Sequence, residues 1–216
     1  MMRIILLIFF QGTLSFNYAI MNNYPERFEM TDTTYNQIII DSDYTLEEAL
    51  SGIKMPAEIK KSLVLIEVQY YSFDKNIHQG QLVVNKDLSS DMTEIFKKIK
   101  EEKFPIAKVI PIVHYNWDDE KSMKDNNTSA FNYRLIAGTG KLSNHSFGTA
   151  IDINPLFNPY IRSDLRQPEG SEYNPERAGT ITANSFLVKE FKQLGWRWGG
   201  DWKDRKDYQH FEKEVN

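Results

Sequence analysis

The chain has 216 residues, enough for one well-formed domain plus an extension, and its 41% hydrophobic and 26% charged content excludes a disordered or fibrous protein. A formal charge of −4 without a long basic run makes it a poor candidate for nucleic-acid binding, where phosphate neutralisation dominates affinity. Cysteine is absent, which removes disulfides, thiolate zinc sites, iron–sulfur clusters, cysteine nucleophiles and lipidated cysteines, so any metal must use Asp, Glu or the four histidines.

Met1-Met2-Arg3 is a short cationic start, and the apolar run Ile4–Phe10 that follows is far shorter than the roughly 20 residues a membrane crossing needs. Small residues follow it, so the expectation for residues 1–19 is a secretory signal segment, cleaved to leave a chain starting between Phe16 and Ile20. A buried N-terminal strand is the other reading of so short an apolar run. No later run approaches membrane length, so no stable membrane span is expected in the mature chain, which is read as periplasmic or extracellular.

Residues 20–62 read as a polar, then helical, lead-in. Thr45 with Glu48 three residues on forms a capping box for a helix, and Pro56 stands where a second short helix begins. Leu63–Phe73 is rich in β-branched and aromatic residues and reads as a strand, with Gln81–Asn85 as its hairpin partner across a turn containing Asp74 and Gly80. Ser90–Lys103 carries Met92, Ile95, Phe96 and Ile99 at helical spacing. Phe104–Val113, broken by two prolines, is expected to be extended, and Asp118–Ser129 a polar loop. Asn184–Leu194 reads as a helix closed by Gly195. Interleaved strands, helices and hairpins predict an α+β domain built on one mostly antiparallel sheet flanked by helices.

The chemistry concentrates in Leu142–Pro155 and Asp207–Phe211. Alternation across Ala150–Asn154 places Asp152 and Asn154 on one strand face, with Ile151 and Ile153 on the other. His145 precedes Asp152 by seven residues, and Gly148 permits a turn between them. Asp207 and His210 add a second carboxylate–imidazole pair. Two histidines and one carboxylate around an open position are the ligand set of a catalytic zinc ion, with a nearby unliganded acid as general base. Each residue alone also has an ordinary reading: a turn aspartate, a surface histidine, one more charge in an acidic tail.

The context of these residues resembles a known family. Ser143-x-His145-x-x-Gly148-x-Ala150-x-Asp152, followed by Asp207-x-x-His210, is similar to the signature of the zinc peptidoglycan peptidases: D-alanyl-D-alanine carboxypeptidases, D-Ala-D-Ala dipeptidases and L-alanyl-D-glutamate endopeptidases. Phe131-Asn132-Tyr133-Arg134, Ile153-Asn154-Pro155, Asn158-Pro159-Tyr160 and Trp198-Gly199-Gly200-Asp201-Trp202 extend the resemblance over roughly residues 68–211. It implies a small Hedgehog/DD-peptidase-like zinc-peptidase domain over residues 63–216, with His145, Asp152 and His210 holding Zn²⁺ and Asp207 catalytic. It also implies peptidoglycan stem peptides as substrate. Dipeptidase-type members carry Glu where this chain has Asp207, which leans toward the branch that includes L-alanyl-D-glutamate endopeptidases and similar carboxypeptidase-like proteins, without fixing the bond cleaved.

On this reading Asp207 moves the proton and Arg134, with its fixed fork of donors, stabilises the oxyanion or binds a substrate carboxylate. Ser143 is a candidate to orient substrate or to cap backbone. Asp201 and Asp204 are rival acids at less apt spacing. Trp196, Trp198 and Trp202 are candidates for either cleft floor or core, and the sequons in Asn126–Ser129 are read as a flexible loop. The competing function is a zinc-stabilised domain without catalysis that binds a wall or protein partner.

Overall fold

A computed structural model describes residues 38–215. The expected signal segment and the first part of the lead-in lie outside these residues.

The described chain begins with β1 (Ile39–Ile40), then α1 (Leu46–Ala49) and α2 (Ala57–Lys61). The capping box forms as expected: the Thr45 hydroxyl accepts from Glu48 N, and the Glu48 carboxylate accepts from Thr45 N at 2.7 Å. Ala49 and Leu50 pack with Leu63, Val83 and Phe131 in a buried cluster. Next come the long hairpin β2 (Leu63–Tyr71) and β3 (Ile77–Asn85), then α3 (Ser89–Glu101). The turn spans 72–76 and includes Asp74, but Gly80 lies inside β3. A Cβ there would come within 2.2 Å of the Val109 carbonyl, so Gly80 serves close backbone packing and not the turn.

Helix α3 lays Met92, Ile95, Phe96 and Ile99 on the hairpin, all at most 2% exposed. Each such side chain contributes roughly 1.5–3 kcal/mol by leaving water. The same core takes in Ile151, Ile153, Leu187, Phe191, Trp196, Trp198 and Phe211, so the elements that carry the candidate site share one interior with the hairpin.

β4 (Lys108–Val109) and β5 (Asn127–Thr128) flank α4 (Asp119–Lys124). The stretch expected to be a loop is therefore partly helical. The Asp118 carboxylate accepts from Lys121 N at the helix start, and Lys124 pairs with Glu120 one turn back. Nor is the sequon segment loose: Asn127 and Thr128 are buried, and Asn127 exchanges hydrogen bonds with the Ile110 backbone.

The chain continues through β6 (Ala150–Asp152), β7 (Tyr160–Arg162), β8 (Leu165–Gln167), α5 (Phe186–Gln193), β9 (Arg197–Trp198), β10 (Lys206–Asp207) and β11 (His210–Glu212). The class is α+β with mostly antiparallel pairing. Instead of one sheet, however, the described strands form three three-stranded sheets, ordered β1-β3-β2, β10-β7-β8 and β6-β11-β9, and a β4-β5 pair. Strands of two or three residues are too short to bridge these units, and bends between them redirect the chain. The bend at Tyr208–Gln209 matters most, because it moves the chain from the β10 sheet to the β11 sheet just before His210. No described helix is long and apolar enough to cross a membrane.

Candidate active site

Antiparallel pairing of β6 with β11 sets His210 directly opposite Asp152 and Phe211 opposite Ile151. Because side chains alternate along a strand, Phe211 and Ile151 enter the core while His210 and Asp152 turn to the other face. Phe211 is fully buried and stacks on Phe191 at 3.8 Å between ring centres, which clamps β11 in this orientation. His145 arrives from a 3₁₀ turn, Asn144–Phe147, capped at its start by the Ser143 hydroxyl. Gly148, at φ +64°, ends the turn in the left-handed region and sends the chain into β6.

Three buried side chains converge. His145 Nε2 lies 3.2 Å from Asp152 Oδ2 and 3.3 Å from His210 Nδ1, and His210 Nδ1 lies 2.9 Å from Asp152 Oδ1. Among the described residues this is the one His/Asp/Glu trio whose ligand atoms lie within 4.8 Å of one another. The spacing suits a small tetrahedral cation, whose ligands at about 2.0–2.2 Å stand about 3.3–3.6 Å apart. The outer ring nitrogens are also engaged. His145 Nδ1–H donates to the Ala130 carbonyl at 2.7 Å, and His210 Nε2 faces Glu212 Oε2 at 3.3 Å. Each ring is thereby left with its inner nitrogen free to act as a ligand.

The electrostatics follow from this crowding. Burial alone would raise the Asp152 carboxyl, but the His145 and His210 imidazoles hold it well below the ordinary carboxylate range. Burial disfavours a charged His210, yet its bonds to Asp152 and Glu212 outweigh that and raise it to about 10. A cation entering the trio displaces the proton that His210 otherwise holds. Burial pushes the Asp207 carboxyl up to about 6; the His210 imidazole opposes the rise and the Asp152 charge adds to it.

Asp207 is tied by Gln209 Nε2, which donates to its Oδ1 at 3.2 Å. A Cβ on Gly199 would come within 2.6 Å of the Asp207 carbonyl oxygen and 2.8 Å of its Cβ, so the Gly199-Gly200 turn lets this acid sit where it does. The rival acids face elsewhere: Asp201 pairs with Lys192 and Asp204 with Arg205, both at the surface.

The remaining candidates separate. Asn154 does not share the Asp152 face: at φ +47° it leaves the strand, and its amide bonds Pro105 O, Gly179 O and Ala107 N. Its polar side chain satisfies neighbouring backbone, which overrides the alternation. Trp196 and Trp198 are core residues at 3% exposure each, whereas the Trp202 ring stands 5.6 Å from the His210 ring with the Arg205 guanidinium 4.5 Å above it. Arg134 pairs with Asp119 at 3.0 Å, and its Nε is buried with no partner among the described residues. Ser146 fastens the Arg134 backbone to the His145 turn by accepting from Arg134 N and donating to Arg134 O. His78 lies between Asp41 and Asp74, and His114 bonds Tyr44, as ordinary structural histidines do. Glu212 was not among the expected site residues, although alternation through His210-Phe211-Glu212 puts it on the His210 face.

Residues 137–213 match the model of a family described as D-alanyl-D-alanine carboxypeptidase. The span includes His145, Asp152, Asp207 and His210; Arg134 lies just ahead of it. The chain is also 29% identical over 137 residues to the peptidoglycan L-alanyl-D-glutamate endopeptidase CwlK of Bacillus subtilis. Both findings agree with the resemblance to the peptidoglycan peptidases. The alignment covers 61% of this chain and 65% of that relative, so the chain spans just under two thirds of the relative's length. No solved structure matches.

Proposed function

We propose that the protein is a zinc-dependent peptidase acting on bacterial peptidoglycan stem peptides outside the cytoplasm, on a Hedgehog/DD-peptidase-like domain. The observation that carries the reading is the convergence of His145, Asp152 and His210 on one buried point, with the raised Asp207 carboxyl beside them. A structural metal site has no need of that acid. The bond cleaved is that of an L-alanyl-D-glutamate endopeptidase, the activity in the name of the Bacillus relative, or that of a D-alanyl-D-alanine carboxypeptidase, the description of the matching family model.

In this mechanism His145 Nε2, His210 Nδ1 and one Asp152 oxygen would hold the ion. When bound, zinc would supply Lewis acidity, to polarise a carbonyl and to lower the pKa of water toward neutral. Asp207, ionised at neutral pH with its carboxyl near 6, accepts a proton from the attacking water and returns it to the departing amine. Arg134 offers its guanidinium to the developing oxyanion or to a substrate carboxylate, sharing it with Asp119. Ser143 contributes by capping the turn that holds His145, and Trp202 supplies an aromatic wall beside His210.

The test is His145→Ala, assayed for zinc content after dialysis and for cleavage of purified stem peptides by mass spectrometry. Loss of both is expected. Stoichiometric zinc in the variant would contradict the ligand assignment, and a zinc-loaded wild type that cleaves no stem peptide would favour the zinc-stabilised binding domain instead.

A further inference from the structure

We infer that Glu212 is a positioning residue that fixes which nitrogen of His210 faces the metal and locks that ring to the segment carrying His145. The inference rests on the zinc reading above. Glu212 stands two residues after His210 on the same strand face, and its Oε2 lies 3.3 Å from His210 Nε2. A ring that donates Nε2–H to a carboxylate keeps its lone pair on Nδ1. Nδ1 is the atom that faces Asp152 at 2.9 Å and His145 at 3.3 Å. Glu212 lies across the imidazole from that point of convergence, so it acts through the ring and is neither a fourth ligand nor a base.

The carboxylate is itself held from two further sides. Asn144 Nδ2 donates to the same Oε2, and Arg197 pairs with Oε1 at 3.2 Å. Asn144 immediately precedes His145 and opens its 3₁₀ turn. One carboxylate oxygen thus joins the two segments that bring the histidines, whose separation along the chain is 65 residues. The corresponding support for His145 is a neutral backbone carbonyl, from Ala130. Glu212 is the charged partner of the pair, and charge-assisted bonds are roughly twice as strong as neutral ones. The Glu212 side chain is 14% exposed, so little water competes for these bonds.

The experiment measures zinc affinity by competition with a chromophoric chelator, for wild type, Glu212→Gln and Glu212→Leu. The visible spectrum of each cobalt-loaded protein and the melting of each metal-free protein are recorded alongside. Leu removes the acceptor at similar size and should weaken zinc binding about 10- to 100-fold, the usual effect of losing such a partner. Gln keeps size and a carbonyl acceptor, so it should fold as wild type and lose a smaller factor, about 3- to 10-fold, because the acceptor is no longer charged. The cobalt bands should shift in the order wild type, Gln, Leu. A Gln variant with wild-type zinc affinity and an unshifted cobalt spectrum overturns the inference, whatever the Leu variant does. A wild type that binds no zinc overturns the metal reading itself and this inference with it, and is told apart because wild type is measured first.

Discussion

Replacing Asp207 with Asn separates the proton-transfer chemistry from the metal site and from the fold. The amide keeps an oxygen to accept from Gln209 and leaves β10 paired with Tyr160, while losing the ability to take a proton from water. Loss of a positioned general base costs about 10²–10⁴ in rate, or about 2.7–5.4 kcal/mol of transition-state stabilisation. Stability should move the other way. The Asp207 carboxyl is raised in the folded chain, from 3.8 to about 6, so the native state binds more protons than the unfolded state between those values. Its charge therefore disfavours folding, fully so above about pH 6 and not at all below about pH 4. Metal-free Asp207→Asn should melt above wild type at pH 7, with the gap closing as the pH falls toward 4. The assay compares stem-peptide hydrolysis by mass spectrometry, zinc content and thermal unfolding of the two proteins. Near wild-type turnover in the variant, or loss of its zinc, would refute the assignment of Asp207 as a base that does not ligate the metal.

Other residues carry equally direct consequences. Because His210 holds a proton up to about pH 10, zinc must displace it, so apparent zinc affinity should rise about tenfold per pH unit between pH 6 and 8; a flat profile in chelator competition would contradict this. Phe211→Ala removes a fully buried ring stacked on Phe191 and should cost roughly 3–5 kcal/mol in urea unfolding, with a cost under about 1 kcal/mol excluding its role as the clamp of β11. Arg134→Ala should lower turnover about 10²–10³-fold with zinc retained, and unchanged turnover would confine Arg134 to its ion pair with Asp119.

The grouping of His145, Asp152 and His210 was named in the sequence through the family resemblance, and local rules account for part of it. Ile151 and Ile153 mark the core face of a strand, which leaves Asp152 outward, and Gly148 allows the turn that brings His145 back. A regular strand would put Asp207 and His210 on opposite faces, so their spacing predicts an irregular backbone around Asp207-Tyr208; the bend falls at Tyr208–Gln209. What escaped depends on partners far along the chain. Asn154 fits a strand by alternation, but its side chain finds backbone groups of Pro105, Ala107 and Gly179, and no periodicity encodes that. Helix α4 is six residues long and has no apolar stripe, so only its Asp118 cap could have marked it. The division into four sheets rests on two- and three-residue strands, below the length at which a pattern emerges. Alternation puts Glu212 on the His210 face, but what fixes its carboxylate there, Asn144 and Arg197, lies elsewhere in the chain and no pattern encodes it.

We propose that one zinc ion, held by His145, Asp152 and His210, makes this chain a peptidase. The most direct test is to strip the protein with a chelator, titrate zinc back, and follow cleavage of purified stem peptides by mass spectrometry at each step. Hydrolysis should be absent at the start, rise with added zinc and level off at one equivalent per chain. Full zinc occupancy without any cleaved stem peptide, or undiminished cleavage by the stripped protein, would contradict it.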